Sequence, residues 1–178
     1  MVAAGACPIW TSDLAHMSTG AELHGACEAL APLIGTWRGP GEGHYPTIDD
    51  FGYLEELSFG HVGKPFLAMN QRTRDPRSDA PLHAEVGYLR PQPNGGIELV
   101  LTQPTGVVEI HNGTLGEIDG AVVIDLRSQQ VEGTPSAKPI TEVRRRLEVR
   151  GDVLVTEMWM AAMGQPLTHH LRAELIRA

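Results

Sequence analysis

Lysine and cysteine are both scarce in this chain of 178 residues, and each scarcity excludes something. Lys64 and Lys138 are the only lysines, and with 14 basic against 22 acidic side chains the formal charge is −8. A field of that sign repels phosphate backbones, so nucleic acid is not an expected partner. Cys7 and Cys27 are the only cysteines. They cannot build a disulfide framework, and neither has a partner at zinc-ligand spacing. No apolar run approaches the ~18–20 residues that cross a bilayer, so no membrane partner is expected. The first residues carry no positive group ahead of a short apolar stretch that Pro8 interrupts. A secretory signal is therefore not expected, and a cytoplasmic location is. Several chemistries are missing too: there is no G-x-S-x-G elbow, no cysteine-protease signature and no P-loop. The glycines at 39–43 have the wrong spacing for a dinucleotide fingerprint.

Glycine and proline are abundant instead, at 20 and 13 residues. They cut the chain into short pieces, and the length suits one domain. Residues 1–20 read as a tail ahead of a barrel domain spanning 21–178. Glu22 to Leu33 reads as a short helix, with Leu23, Cys27, Leu30, Ala31 and Ile34 at three- or four-residue steps and Gly35 as its stop. From there the period changes to two. Phe51, Tyr53, Leu57 and Phe59 alternate with Gly52, Glu56, Ser58 and Gly60. Further strand-length runs are 66–73, 82–89, 97–102, 107–111, 121–127, 141–149, 153–163 and 171–176. Asn112-Gly113 and Asp119-Gly120 both read as two-residue hairpin turns, whose positive φ angles suit these residues. Nine or ten short strands with almost no helix imply antiparallel pairing in a sandwich or barrel. The hairpin order favours an all-β, up-and-down, ten-stranded antiparallel barrel of calycin or lipocalin type, with a short N-terminal helix. Closure removes the exposed edges, and ten strands leave room for a ligand.

Four features carry the local chemistry. In Gly35-Thr36-Trp37-Arg38-Gly39-Pro40-Gly41, the alternate glycines suggest that something bulky approaches the backbone of the first strand. A Gly-x-Trp at that point also occurs in lipocalin-like carriers. Adjacent carboxylates at Asp49-Asp50 and Glu55-Glu56 face opposite ways on a strand and do not make a cooperating pair. Arg144-Arg145-Arg146 reads as a solvated strand surface, with alternate members on opposite faces. Met158, Met160 and Met163 read as barrel wall or pocket edge.

The stretch Leu33-Ile34-Gly35-Thr36-Trp37-Arg38-Gly39-Pro40-Gly41-Glu42-Gly43-His44-Tyr45-Pro46-Thr47 resembles the opening of the nitrobindin family. Phe51-Gly52-Tyr53-Leu54-Glu55-Glu56, His61-Val62-Gly63-Lys64-Pro65 and Gly164-Gln165-Pro166-Leu167-Thr168-His169-His170-Leu171 extend the likeness from about residue 29 to the end. The resemblance implies a ten-stranded barrel holding one haem b per chain, which binds nitric oxide and isomerises peroxynitrite to nitrate at ferric haem. Such chemistry would protect against nitration by reactive nitrogen species. The likeness also assigns His170 as the proximal iron ligand and catalytic centre, Thr47 as a residue lining the haem site, and Lys138 as a cofactor contact. Small molecules are then the expected partners, and a homodimer is compatible with the likeness.

Periodicity alone leaves one alternative. On an unbroken strand His169, not His170, shares a face with Leu167, Leu171, Ala173 and Leu175. A helical turn begun by Pro166 would break that phase and favour His170. Two other functions use the same barrel: carriage of a fatty acid or other apolar molecule, and nitric oxide sensing through a partner.

Overall fold

The computed structural model describes residues 20–178; expectations for the preceding residues, Cys7 and Pro8 among them, lie outside it. Ten strands form a closed barrel: β1 (Gly35–Tyr45), β2 (Ile48–Gly60), β3 (Leu67–Arg74), β4 (Pro81–Pro91), β5 (Gly96–Thr102), β6 (Val107–Ile118), β7 (Ala121–Gly133), β8 (Ile140–Arg150), β9 (Val153–Ala162) and β10 (Thr168–Arg177). Each strand pairs antiparallel with its neighbour in sequence, and β10 returns to β1, so no edge is left open. This is the up-and-down barrel that the hairpin order implies.

Asp119 and Gly120 have φ of 50° and 76° and make the tight turn between β6 and β7. Asn112-Gly113 does not turn. Both residues lie inside β6, paired with Glu98 and Ile97 on one side and Arg127 and Leu126 on the other. A side chain at residue 113 would bring its Cβ to 2.0 Å from the Asp125 carbonyl oxygen, so close strand packing accounts for that glycine.

A 3₁₀ helix over Gly25–Leu33 closes one end of the barrel. Its buried residues are Cys27, Leu30 and Leu33, every third position, as three residues per turn require. The sequence-based α-type face therefore gains Leu33 and loses Ala31, which is exposed. Gly35 follows the helix's Ile34 cap directly and opens β1 at φ 127°. The fully buried Trp37 ties the plug to the barrel: its Nε1 donates to the Leu33 carbonyl at 2.8 Å. The Arg177 guanidinium lies 4.1 Å over the Trp37 ring and donates to the carbonyls of Ile34 and Pro32. Around them Leu67, Leu89, Ile97, Leu99, Ile124, Leu154 and Leu175 pack as an aliphatic floor.

The opposite end is open. Register shifts in β1 at 43/45, β3 at 73/74, β8 at 140/142 and β10 at 169/171 all lie towards that rim. Bulges at a rim bend a strand and re-aim side chains. The glycine stripe of β1 serves the same end of the barrel. A Cβ at Gly41 would meet the Tyr53 ring at 2.3 Å, and one at Gly43 the Phe51 ring at 2.3 Å. The bulky groups approaching this backbone are thus two rings of the neighbouring strand, held flat against the wall.

Candidate functional site at the open end

A cavity of about 470 Å³ runs from the rim into the barrel. Leu57, Leu99, Leu126, Leu147 and Leu171 give its walls an aliphatic part beside a polar one, and Met158 and Met160 reach it from β9. Met163 lies instead in the following turn, exposed.

His170 lines this cavity and His169 does not. The cause is the bulge in β10. Thr168 and His169 pair with Met160 and Trp159, and Leu171 pairs with Met158, leaving His170 as the extra residue. His170 and Leu171 therefore both face inward. No helical turn at Pro166 is involved; residues 163–167 form a turn with Met163 and Gly164 at positive φ. His169 stays on the outer side, its ring edge-on to Trp159 and its Nε2 3.5 Å from Glu157.

The His170 ring is held at one nitrogen only. Nδ1 lies 3.0 Å from the His44 carbonyl oxygen, to which it donates. That fixes the tautomer and leaves the Nε2 lone pair free. Tyr45 and Phe51 stand edge-on to the ring at 5.0 and 6.3 Å. Tyr45 is itself pinned, donating to the carbonyls of Met160 and Ala162 and accepting from the Ala162 N–H at 2.9 Å. Burial lowers the His170 pKa, opposed by the His44 hydrogen bond and aided by the nearby His169. The neutral imidazole is the form that binds a metal.

Below the rim lies a buried polar layer that strand-by-strand reading misses. Arg145 points inward, between the outward Arg144 and Arg146, which both face Asp125. The solvated reading of this triplet therefore holds for its flanks and fails for its centre. Arg145 donates to both oxygens of Glu85 at 2.8 Å and to both of Glu109 at 3.0 Å. His111 Nε2 lies 2.7 Å from Glu109, and His83 Nε2 3.3 Å from Glu85. Burial works against ionising Glu109, but the Arg145 charge and the hydrogen bonds from His111 and Arg145 outweigh it and hold the carboxyl at about 2. Glu85 is lowered in the same way, burial again being outweighed by Arg145. Glu55 has no such partner. Burial pushes its carboxyl up to about 7, against a hydrogen bond from Gln71 and with help from the Glu85 charge.

The Glu55 shift predicts a pH signature. Its folded pKa lies above the ordinary value of 4.5, so protonated Glu55 favours the fold, and that contribution is lost as pH rises through about 7. Glu55→Gln should therefore leave stability unchanged at pH 4 and raise it by roughly 2–3 kcal/mol at pH 8, read by urea denaturation at both values. An equal effect at the two pH values would contradict the assignment.

Thr47 and Lys138 lie at the same end as His170 but outside the cavity lining. Thr47 is exposed in the two-residue turn between β1 and β2. Lys138 is exposed in the loop before β8, beside a surface pocket of about 210 Å³. Of the G-x-W-x-G-x-G residues, Trp37 belongs to the closed end, while Gly41 seats Tyr53 at the cavity wall.

An open barrel with a tethered, half-buried imidazole at its rim has a counterpart among known families. The model described as "THAP4-like, heme-binding beta-barrel domain" matches residues 26–177. The chain belongs to this haem-binding barrel family. Curated relatives agree along nearly their whole length. A protein of Nocardia farcinica named peroxynitrite isomerase is 48% identical over 167 residues, 93% of this chain and 99% of its own. One of Mycolicibacterium paratuberculosis named peroxynitrite isomerase 1 is 50% identical over 157 residues, 88% of this chain and 97% of its own. The crystal structure of Rv2717c from M. tuberculosis superposes with a TM-score of 0.86 at 44% identity, covering 88% of this chain and 99% of that one. As a member of this barrel family, the chain has a cavity that fits the cofactor: an aliphatic wall and one imidazole whose Nε2 is free at the rim.

Proposed function

We propose that this protein is a haem-dependent peroxynitrite isomerase, converting peroxynitrite to nitrate, and that it also binds nitric oxide. The observation that carries this is the bulge-aimed His170, its Nδ1 donating to the His44 carbonyl and its Nε2 free at the mouth of the cavity. Relatives named for that activity match it almost end to end. One haem b per chain would be held at the mouth by His170 through its free Nε2. Bound there, haem would supply the redox-active iron that converts peroxynitrite to nitrate.

The chain's own contribution is positional. His44 orients the ligating ring, and Tyr45 and Phe51 confine it. Leu171, Met158 and Met160 supply apolar surface beside His170, which would limit water there and confine reactive species. The global charge of −8 repels an anionic substrate, so cations and hydroxyls at the rim matter more than elsewhere. By the family likeness Lys138 and Thr47, both exposed at this end, would serve as partners for haem propionates or an arriving anion.

A cytoplasmic location fits the free, buried Cys27 thiol, which burial keeps protonated and unreactive. A homodimer would bury the outer stripe of Val86, Tyr88, Val100, Val108 and Ile110, whose exposure is otherwise unexplained, and sedimentation velocity reads its mass. Carriage of an apolar ligand is favoured by the aliphatic cavity wall alone.

Rapid-mixing absorbance tests the isomerase. Haem-loaded protein should accelerate peroxynitrite decay with nitrate as product, and its Soret band should shift with nitric oxide. Decay no faster than in buffer would refute the activity. Extractable lipid with no Soret band after haemin addition would favour carriage.

A further inference from the structure

Beneath the mouth the cavity ends on polar groups that the haem chemistry does not use. We infer that the barrel interior between Glu55 and Gln71 is a second binding subsite, for a small organic cation with N–H donors such as a primary aliphatic ammonium. This goes beyond the isomerase function and does not depend on it.

Both residues line the cavity and are more than nine-tenths buried, at 5% and 9% exposure. Gln71 Nε2 donates to Glu55 Oε1 at 3.2 Å, while Gln71 Oε1 is buried without a hydrogen-bond partner among the described residues. A buried acceptor left unmatched costs about 1–3 kcal/mol, so its place in a cavity wall points to a donor that arrives from outside. Glu55 carries the second acceptor and has no ion-pair partner among the described residues. The only arginine in the lining is Arg145, whose guanidinium is already spent on Glu85 and Glu109.

Charge decides the sign of the ligand. Glu55, Glu85 and Glu109 face the interior against the single guanidinium, so a carboxylate or phosphate head meets repulsion and no free donor cation. An ammonium meets two acceptors. Its alkyl chain would lie along Leu57, Leu99, Leu126 and Leu147, which line the same cavity. Facing Glu55 are Tyr53 from its own strand, Gln71 from β3, Glu85 from β4, Arg145 from β8 and Thr156 from β9. Glu55 is the member of this set that ionises near neutrality, at about 7, so cation affinity should rise with pH through that value and then level off.

Isothermal titration calorimetry of the full chain, haem-free and haem-loaded, tests this with n-hexylammonium chloride against sodium hexanoate and hexanol. Hexylammonium should bind the haem-free chain, with an affinity that increases from pH 6 to pH 8. Glu55→Gln, which keeps the shape of the side chain, should weaken it roughly tenfold or more. Gln71→Leu should weaken it less, and circular dichroism verifies that both variants fold. No binding of hexylammonium, equal binding of hexanoate or hexanol, or an affinity indifferent to Glu55→Gln would overturn the subsite. Because the readout needs no haem, its failure leaves the isomerase untouched, and failure of the isomerase leaves it standing. The haem-loaded titration shows whether the cofactor and the cation share the barrel or compete for it.

Discussion

His170→Ala should abolish the Soret band of haemin-reconstituted protein, whereas His169→Ala should retain most of it. The two residues are neighbours of identical type, so composition and local charge are the same for both variants, and only direction differs. His170 is the extra residue of the β10 bulge and faces the cavity; His169 pairs across to Trp159, lies near Glu157 and does not line the cavity. His170 Nδ1 is engaged by the His44 carbonyl, which leaves Nε2 free to take a metal. The partner that fixes the ring is a main-chain carbonyl, so no substitution at residue 44 removes it directly. Loss of the axial bond should be near complete in His170→Ala, and imidazole added to the solution should restore part of the band by occupying the vacated space. The reverse pattern, band kept in His170→Ala and lost in His169→Ala, would overturn the assignment. So would a band unchanged in both.

The reason His170 is hard to place from periodicity is physical. Side chains on a strand alternate, so counting back from Ala173 and Leu175 lands on His169. One bulge resets the count, and bulges leave little trace in composition. The sequence likeness finds His170 because the run Pro166–Leu171 is matched as a whole, bulge included. The barrel itself is more legible, because ten short runs separated by turn residues leave few other closures. Asn112-Gly113 misleads for a definable reason: glycine serves both positive φ and close packing, and at residue 113 it serves the second.

The polar layer is concealed by inverted amphipathicity. In β4 the apolar Val86 and Tyr88 face outward, while His83 and Glu85 face in. In β6 Val108 and Ile110 are exposed, and Glu109 and His111 are buried. Counting apolar residues as interior therefore turns these strands inside out. The usable signal is Arg145: three consecutive arginines on a strand must send at least one to the opposite face from the others, and a cation inside a barrel demands carboxylates there. Glu85 and Glu109 are the answer to that demand.

The second large effect follows from the same layer. Arg145→Met should destabilise the protein by about 3–5 kcal/mol, because it leaves two carboxylates buried without their counter-ion. Against a total stability of roughly 5–15 kcal/mol this is a large fraction, and the thermal midpoint should fall by about 10 °C. Methionine keeps much of the volume, so the loss is chiefly electrostatic, and pH exposes it. In the native protein Glu85 and Glu109 have depressed pKa values; their contribution is present above the ordinary 4.5 and is lost as pH falls below it, for Glu109 only towards about 2. In the variant the same carboxyls are desolvated without compensation, so their pKa values move above 4.5 and stability falls as pH rises through the new values. The gap between the two proteins should thus be widest near pH 8 and narrow towards pH 4. Glu109→Gln placed in the Arg145→Met background should recover part of the loss, although alone it destabilises, since it removes a neutral-pH liability in one context and an ion-pair partner in the other. Thermal melts at pH 4 and pH 8 on the four proteins of that cycle measure both effects. A loss equal at the two pH values, with no recovery in the double variant, would mean that Arg145 acts through packing alone.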